Sequence, residues 1–294
     1  MSTMTRQAAI KVMYHLLNGQ SLAQSLPETI AVYKLDSKEQ SWLKACCFLA
    51  TRYYFVLQNL LKPLLKKNLK KDARWIEATL LVALSQLLLM RTKDHAAVQK
   101  SIDAFKHLTR NKGGAMLLNG ILRKVCASKE DYLAAIARTP SRHFFPVWIQ
   151  NLLKKHYPHD HDAIFFAMHQ QAPLFLRINQ QASSLDAYLA SLAAEKIDAK
   201  AIKEHKDALV LETPIDVAHI PGFAKGLVSV QDLSAQYAAY LLELEKNQRV
   251  LDACSAPGGK TAHILELCPD VKLDALEVDP KRVVSLQQTL KRLQ

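Results

Sequence analysis

Glycine is scarce in this chain, and between Gly19 and Gly113 there is none at all. A hairpin-rich β fold needs tight turns, so that stretch is expected to be helical. Cysteine offers no scaffold either. Cys46, Cys47, Cys126, Cys254 and Cys268 are odd in number and show no Cys-x-x-Cys spacing. Neither a disulfide framework nor a zinc site is supported, and the expected setting is a reducing cytoplasm. Long apolar runs are missing too. The longest candidate, residues 78–90, is interrupted by Ser85 and Gln86 and falls short of the roughly 18 residues of a membrane span. The opening segment MSTMTRQAAIKVMYHLLNG reads as an amphipathic helix and lacks the order and small-residue cleavage site of a secretion signal. What remains is ordinary globular composition, 49% hydrophobic and 22% charged, over 294 residues. That length gives room for two or three cores.

Acidic side chains are also short in one half. Residues 1–147 hold 23 Lys/Arg against 9 Asp/Glu, a net of +14, whereas residues 148–294 hold 16 against 18, a net of −2. A polyanion-docking module joined to a neutral catalytic module shows this split; a helical domain with lysines on its wet faces is the plainer alternative.

Residues 1–138 read as an all-α bundle. RQAAIKVMYHLL places Ala9, Val12, Met13, Leu16 and Leu17 on one helical stripe. SKEQSWLKACCFLATRYYFVLQNLL continues the period, with Ser37 and Gln40 spaced as a capping box. WIEATLLVALSQLLLM is apolar nearly all round, as a central helix is, and two more helices flank RNKGG. Lys66, Lys67, Lys70 and Lys71, with Lys62 and Arg74 beside them, form one basic group, and Arg110, Lys112, Arg123 and Lys124 form a second. Each is a solvated charge taken singly. As sets aligned with the charge split they point to phosphate contacts with RNA.

Residues 139–230 alternate helix and strand, as in a small α+β domain, with PLFLRINQ an alternating apolar–polar strand. His156, His159, His161 and His169 have no convincing ligand spacing, and no metal is expected. From residue 231 the pattern becomes strand–helix–strand–helix, the opening of a doubly wound parallel sheet. RVLDAC is the first strand, GGKTAHILELC the first helix, VKLDALEVD the second strand, and Pro280 starts the second helix.

The passage DACSAPGGKTAH decides the ligand class. A phosphate-binding P-loop needs a glycine five residues before Gly259, and that position is Cys254. Gly258 and Gly259 let the backbone approach a ligand closely at a helix N-terminus. Glu277, 18 residues beyond Gly259 and at the end of the second strand, can accept both hydroxyls of a ribose. A nucleoside cofactor fits this arrangement better than a triphosphate.

These residues resemble the cofactor-binding signature of the RNA cytosine-C5 methyltransferases of the RsmB/NOP family, with SVQDLSAQ and FLRIN as its lead-in and LLNGILRK resembling a NusB-like RNA-binding domain. The resemblance spans the chain. It implies a NusB-like helical bundle over 1–138, an α+β linker domain over 139–230 and an incomplete Rossmann-like methyltransferase domain over 231–294. It further implies S-adenosyl-L-methionine as cofactor, a cytosine of 16S ribosomal RNA as substrate, no membrane, and a monomer. Cys254, Ser255, Ala256, Pro257, Gly258, Gly259 and Lys260 would line the methionine end of the cofactor, and Glu277 would hold the ribose. The family's chemistry uses cysteines in Pro-Cys and Thr-Cys motifs, and neither motif occurs here. No residue is therefore assigned as nucleophile; the chain reads as a truncated form without turnover, its nucleophile expected beyond Gln294. The rival reading is a non-catalytic NusB-like RNA-binding module.

Overall fold

Ser2 starts the first helix by accepting the Thr5 amide, and α1 (Thr3–Leu17) then buries Ala8, Ala9, Ile10, Val12 and Met13. In the computed structural model, which describes residues 1–65 and 73–293, α1 is the axis around which the first unit is built. It packs on α2 (Leu22–Tyr33), α3 (Ser37–Arg52), α5 (Arg74–Leu84) and α6 (Asp94–Leu108). Between α3 and α5 lies α4 (Tyr54–Leu61), and α7 (Lys112–Ala127) and α8 (Lys129–Ala137) complete the bundle. The all-round apolar segment is the central helix α5, buried from Ala78 to Leu84 and continued by a wider turn over Ser85–Leu89. Two shorter helices, α9 (Val147–His156) and α10 (His161–His169), close this unit, which spans Met1–Gln170.

Three local expectations are corrected. The capping box of α3 is Asp36 with Glu39, one residue earlier than Ser37 with Gln40. The Asp36 carboxylate accepts the Glu39 amide at 2.8 Å, and Glu39 accepts the Asp36 amide at 3.4 Å. The long helical segment beyond it breaks at Tyr53 into α3 and α4. RNKGG is not a separator, because Lys112, Gly113 and Gly114 form the first turn of α7 under the Asn111 cap. Gly114 is required there: a Cβ would stand 2.8 Å from the Phe105 ring of α6.

Most buried polar residues of the bundle are paired, although the Thr29 hydroxyl of α2 finds no partner among the described residues. Arg6 donates to Gln86 at 2.8 Å and to the carbonyls of Met1 and Ser2, while Gln86 donates to Ser101 and to the Val82 carbonyl. Ser85 and Gln86, which broke the apolar run in the sequence, are thus interior groups of the bundle. Cys46 and Cys47 are fully buried, and burial pushes the Cys46 thiol up to about 12, as inert core cysteines show. Among the described residues no helix is long and apolar enough to cross a membrane.

The second unit, Gln171–Gln294, contains two sheets. The first has strands β1 (Leu174–Ile178), β2 (Ala199–Ala201), β3 (Ala208–Leu211) and β4 (Val228–Val230) in the order β2-β3-β1-β4, all antiparallel. α11 (Leu185–Ala194), capped by Ser184, packs Tyr188 and Leu192 on Leu176, Ile178 and Leu209. The second sheet is the parallel pair β5 (Arg249–Asp252) and β6 (Lys272–Ala275), with α12 (Leu233–Tyr240), α13 (Gly259–Leu267) and α14 (Pro280–Leu293) around it. Asp252 lies opposite Ala275 in that pair, so the two strands end together beside the Gly-rich turn.

Candidate cofactor and nucleic-acid sites

Asp252, at the end of β5, organises the turn that follows. One oxygen accepts the Cys254 amide at 3.3 Å and the other accepts the Thr261 hydroxyl at 2.7 Å. Ser255 ties the turn to β6, its amide and hydroxyl both donating to the Leu276 carbonyl at 2.9 Å. The Ala256–Pro257 peptide is cis, and Gly258 sits at φ +102°, where L side chains are strained. A Cβ at Gly258 would also stand 3.0 Å from Leu286 and 3.2 Å from Thr289 of α14. α13 begins at Gly259, so unpaired amides and the positive end of a helix dipole lie at the turn. Ser255, Ala256 and Gly258 are buried, whereas Cys254, Pro257 and Lys260 are exposed.

Glu277 lies just past β6, its side chain only 3% exposed. Oε1 accepts the Asp279 amide at 3.0 Å, and Oε2 lies 3.2 Å from Arg282 Nη1. That second oxygen accepts no aligned hydrogen bond among the described residues. Arg282 also donates to the Ala256 carbonyl at 2.6 Å, so one guanidinium joins the Gly-rich turn to Glu277. The structure thus brings residues 254–260 and Glu277 together. A buried carboxylate oxygen with acceptor capacity, beside a turn only glycine can make, fits a nucleoside that brings hydroxyl donors. Arg282 was not singled out from the sequence. It stands on the first turn of α14, five residues after Glu277, and nothing in that spacing announces the contact.

The turn is braced from the antiparallel sheet. Arg177 of β1 is fully buried and grips Glu266 of α13 with two hydrogen bonds, 2.9 Å from Nε and 2.7 Å from Nη2. Its Nη1 donates to the Gly259 carbonyl at 2.9 Å and to the side chain of Gln231. In PLFLRINQ, read as an alternating apolar–polar strand, a charged residue such as Arg177 would ordinarily face water. In fact both faces of β1 are covered, one by α11 and the other by α13.

Beside this pair, Asp207 accepts the Tyr240 hydroxyl at 2.7 Å and lies 3.2 Å from His263 Nε2, with the ring of His205 5.7 Å from that of Tyr240. Burial alone raises the Asp207 carboxyl. His263 and Tyr240, then the charge of Arg177, outweigh it and hold the pKa below the ordinary carboxylate value. A lowered native pKa gives stability that is present above the unfolded value near 3.9 and is lost as pH falls through the native one. Asp207→Asn should therefore flatten the loss of unfolding free energy as pH falls from about 5 through and below the unfolded value. It should also cost about 1.5–3 kcal/mol at neutral pH, the worth of a hydrogen bond to a charged group. Urea titrations across that pH range test both; an unchanged acid limb would remove Asp207 from this role.

On the bundle, the second basic group gathers at one place. Arg110, Lys112 and Arg123 line a groove of about 810 Å³ between α6 and α7, joined by Lys106, which the sequence reading did not name. Lys124 is exposed on α7 outside the groove-lining set. Lys66, Lys67, Lys70 and Lys71 lie outside the described residues. Of the histidines, His169 lies tilted against Phe144, ring centres 3.8 Å apart, and meets Tyr53 edge-on.

The helical bundle, the four-stranded antiparallel sheet and the parallel strand–helix–strand unit with its Gly-rich turn each find a match among known protein families. Residues 3–127 match the NusB family, residues 145–218 the ferredoxin-like domain of RsmF/B-like methyltransferases, and residues 239–294 the 16S rRNA methyltransferase RsmB/F family. Ribosomal RNA small subunit methyltransferase B of Sodalis glossinidius is 37% identical over 286 residues, covering 97% of this chain and 65% of the relative. The proteins of the same name from Pseudomonas putida and Proteus mirabilis are 39% and 35% identical, covering 98% of this chain and 66% and 68% of the relatives. The chain belongs to the ribosomal RNA small subunit methyltransferase B family, and it spans about two thirds of the length of these relatives. The crystal structure of PH0851 shares the fold, with a TM-score of 0.74 at 16% identity over 100% of this chain and 67% of that one.

Proposed function

We propose that this chain provides the RNA-docking and cofactor-holding parts of an S-adenosyl-L-methionine-dependent methyltransferase acting on C5 of a cytosine in 16S ribosomal RNA, as a cytoplasmic monomer. Residues 1–138 dock the RNA, residues 139–230 link, and residues 231–294 hold the cofactor. The observation that carries the reading is the turn 254–260 folded against Glu277 at the ends of two parallel strands. The named relatives are rRNA methyltransferases, which supports the reaction class.

In this reading the bound cofactor supplies an electrophilic methyl group on a sulfonium. Glu277 Oε2 would take the ribose hydroxyls, and the N-terminus of α13 would hold the amino-acid carboxylate of the methionine end. Gly258 and Gly259 admit the ligand to the backbone, and Arg282 keeps Glu277 and the Ala256 carbonyl in register. No residue of the chain is assigned as the nucleophile that attacks cytosine.

Calorimetric titration of S-adenosylmethionine into the chain tests the cofactor assignment. Glu277→Ala should weaken binding by about 1–3 kcal/mol, the cost of removing an acceptor that would leave ribose hydroxyls unpaired. Equal affinity in both proteins would move the ribose elsewhere.

A further inference from the structure

We infer that the groove between α6 and α7 is a pocket for a single unstacked base of RNA, with the flanking phosphates held on its rim; this rests on the RNA-docking reading of the bundle. The groove is amphipathic in a way that a solvated basic face is not. Ile102, Ala115 and Met116 supply an apolar lining, and Met116 is left 77% exposed although it is large and flexible. Three amide side chains line it: Asn111 is engaged as the α7 cap, its Oδ1 accepting the Gly114 amide at 2.7 Å, whereas Gln99 and Asn119 stand on the lining, Gln99 also donating to Asp103 at 2.9 Å one turn away on α6. Around it are the four cations Lys106, Arg110, Lys112 and Arg123, and among the described residues no carboxylate lines the groove.

Each part matches one part of a nucleotide. An apolar, polarisable surface takes the face of a base, as methionine does for flat ring systems. Amides carry a donor and an acceptor and can bond a base edge. The cations match the phosphates on either side. A volume of about 810 Å³ lies within the range of roughly 300–1,000 Å³ found for small-ligand sites, ample for one nucleotide but too confined for a duplex. Bases in a duplex are stacked and unavailable to such a groove, so the pocket selects single-stranded or looped RNA.

The test uses the intact chain with a short single-stranded RNA carrying one 2-aminopurine, the same strand with an abasic site in its place, and an RNA duplex of equal phosphate count. The single strand should bind more tightly than the abasic strand or the duplex, and 2-aminopurine fluorescence should rise as the base leaves its stack. Gln99→Leu with Asn119→Leu should lower single-strand affinity roughly three- to tenfold per amide and leave the salt dependence as it is. Arg110→Gln with Lys112→Gln and Arg123→Gln should instead reduce the salt slope by about 0.7 per lost contact. The abasic comparison needs no variant, so it decides the matter even where a substitution disturbs folding. Equal binding of all three RNAs, with salt dependence intact, would overturn the base pocket while leaving RNA docking standing. Absence of any salt-dependent RNA binding would overturn the docking reading itself.

Discussion

Replacing Arg177 by methionine should destabilise the second unit by about 3–5 kcal/mol, the usual cost of removing one partner of a buried ion pair. The side chain is fully buried and Glu266 nearly so, and the two share a bidentate contact. Without the guanidinium, the Glu266 carboxylate stays in a site too dry to solvate it, and the carbonyl of Gly259 loses its donor. Arg177→Lys should recover little, because one ammonium cannot make the forked contact to Glu266 and also reach Gly259 and Gln231. Arg177→Met combined with Glu266→Met should recover a large share, since removing both charges ends the desolvation penalty. Chemical unfolding of Arg177→Met, Glu266→Met and the double variant, beside the unaltered chain, forms the cycle. Single and double variants that lose equal stability would show that the cost comes from packing alone.

What the sequence made legible follows from period and from local chemistry. Helices of the bundle announced themselves through an apolar stripe or an all-apolar face, and α5 is buried as its composition required. The Gly-rich turn and Glu277 were legible because a strand, a turn and a helix fix where the strand ends, and the parallel pair β5–β6 places both there. Arg177 was not. Period two distinguishes the two faces of a strand, but it cannot say that both are covered, and an arginine among apolar residues looks like a surface charge. Arg282 and Lys106 were missed for a related reason, since their partners come from other elements and no spacing encodes them. The shift of the α3 cap by one residue reflects two adjacent candidates, Asp36 and Ser37, of similar capping strength. The three-residue strand β2 carries no periodic signal and exists through its pairing with β3.

Gly258→Ala should cost about 2–6 kcal/mol, the sum of a backbone penalty and a packing penalty of roughly 1–3 kcal/mol each. At φ +102° an alanine leaves the region that L residues adopt, and the turn has little freedom to relax. Its amide is fixed to the Ser255 carbonyl at 2.7 Å, and its own carbonyl accepts the Ala262 amide at 2.9 Å as the first bond of α13. The new methyl would press on Leu286 and Thr289, so α14 would have to withdraw. α14 also carries Arg282, which joins Ala256 to Glu277, and a shift of that helix would loosen the contact on which the proposed ribose site depends. Thermal unfolding should therefore show a loss of stability, and titration with S-adenosylmethionine should show a loss of affinity in the folded fraction. Thr289→Ala placed in the Gly258→Ala background should return part of the packing term and none of the backbone term, because it opens space beside the methyl without changing φ. Full recovery in that double variant would mean that crowding alone requires glycine at 258, and no recovery would mean that the backbone conformation does.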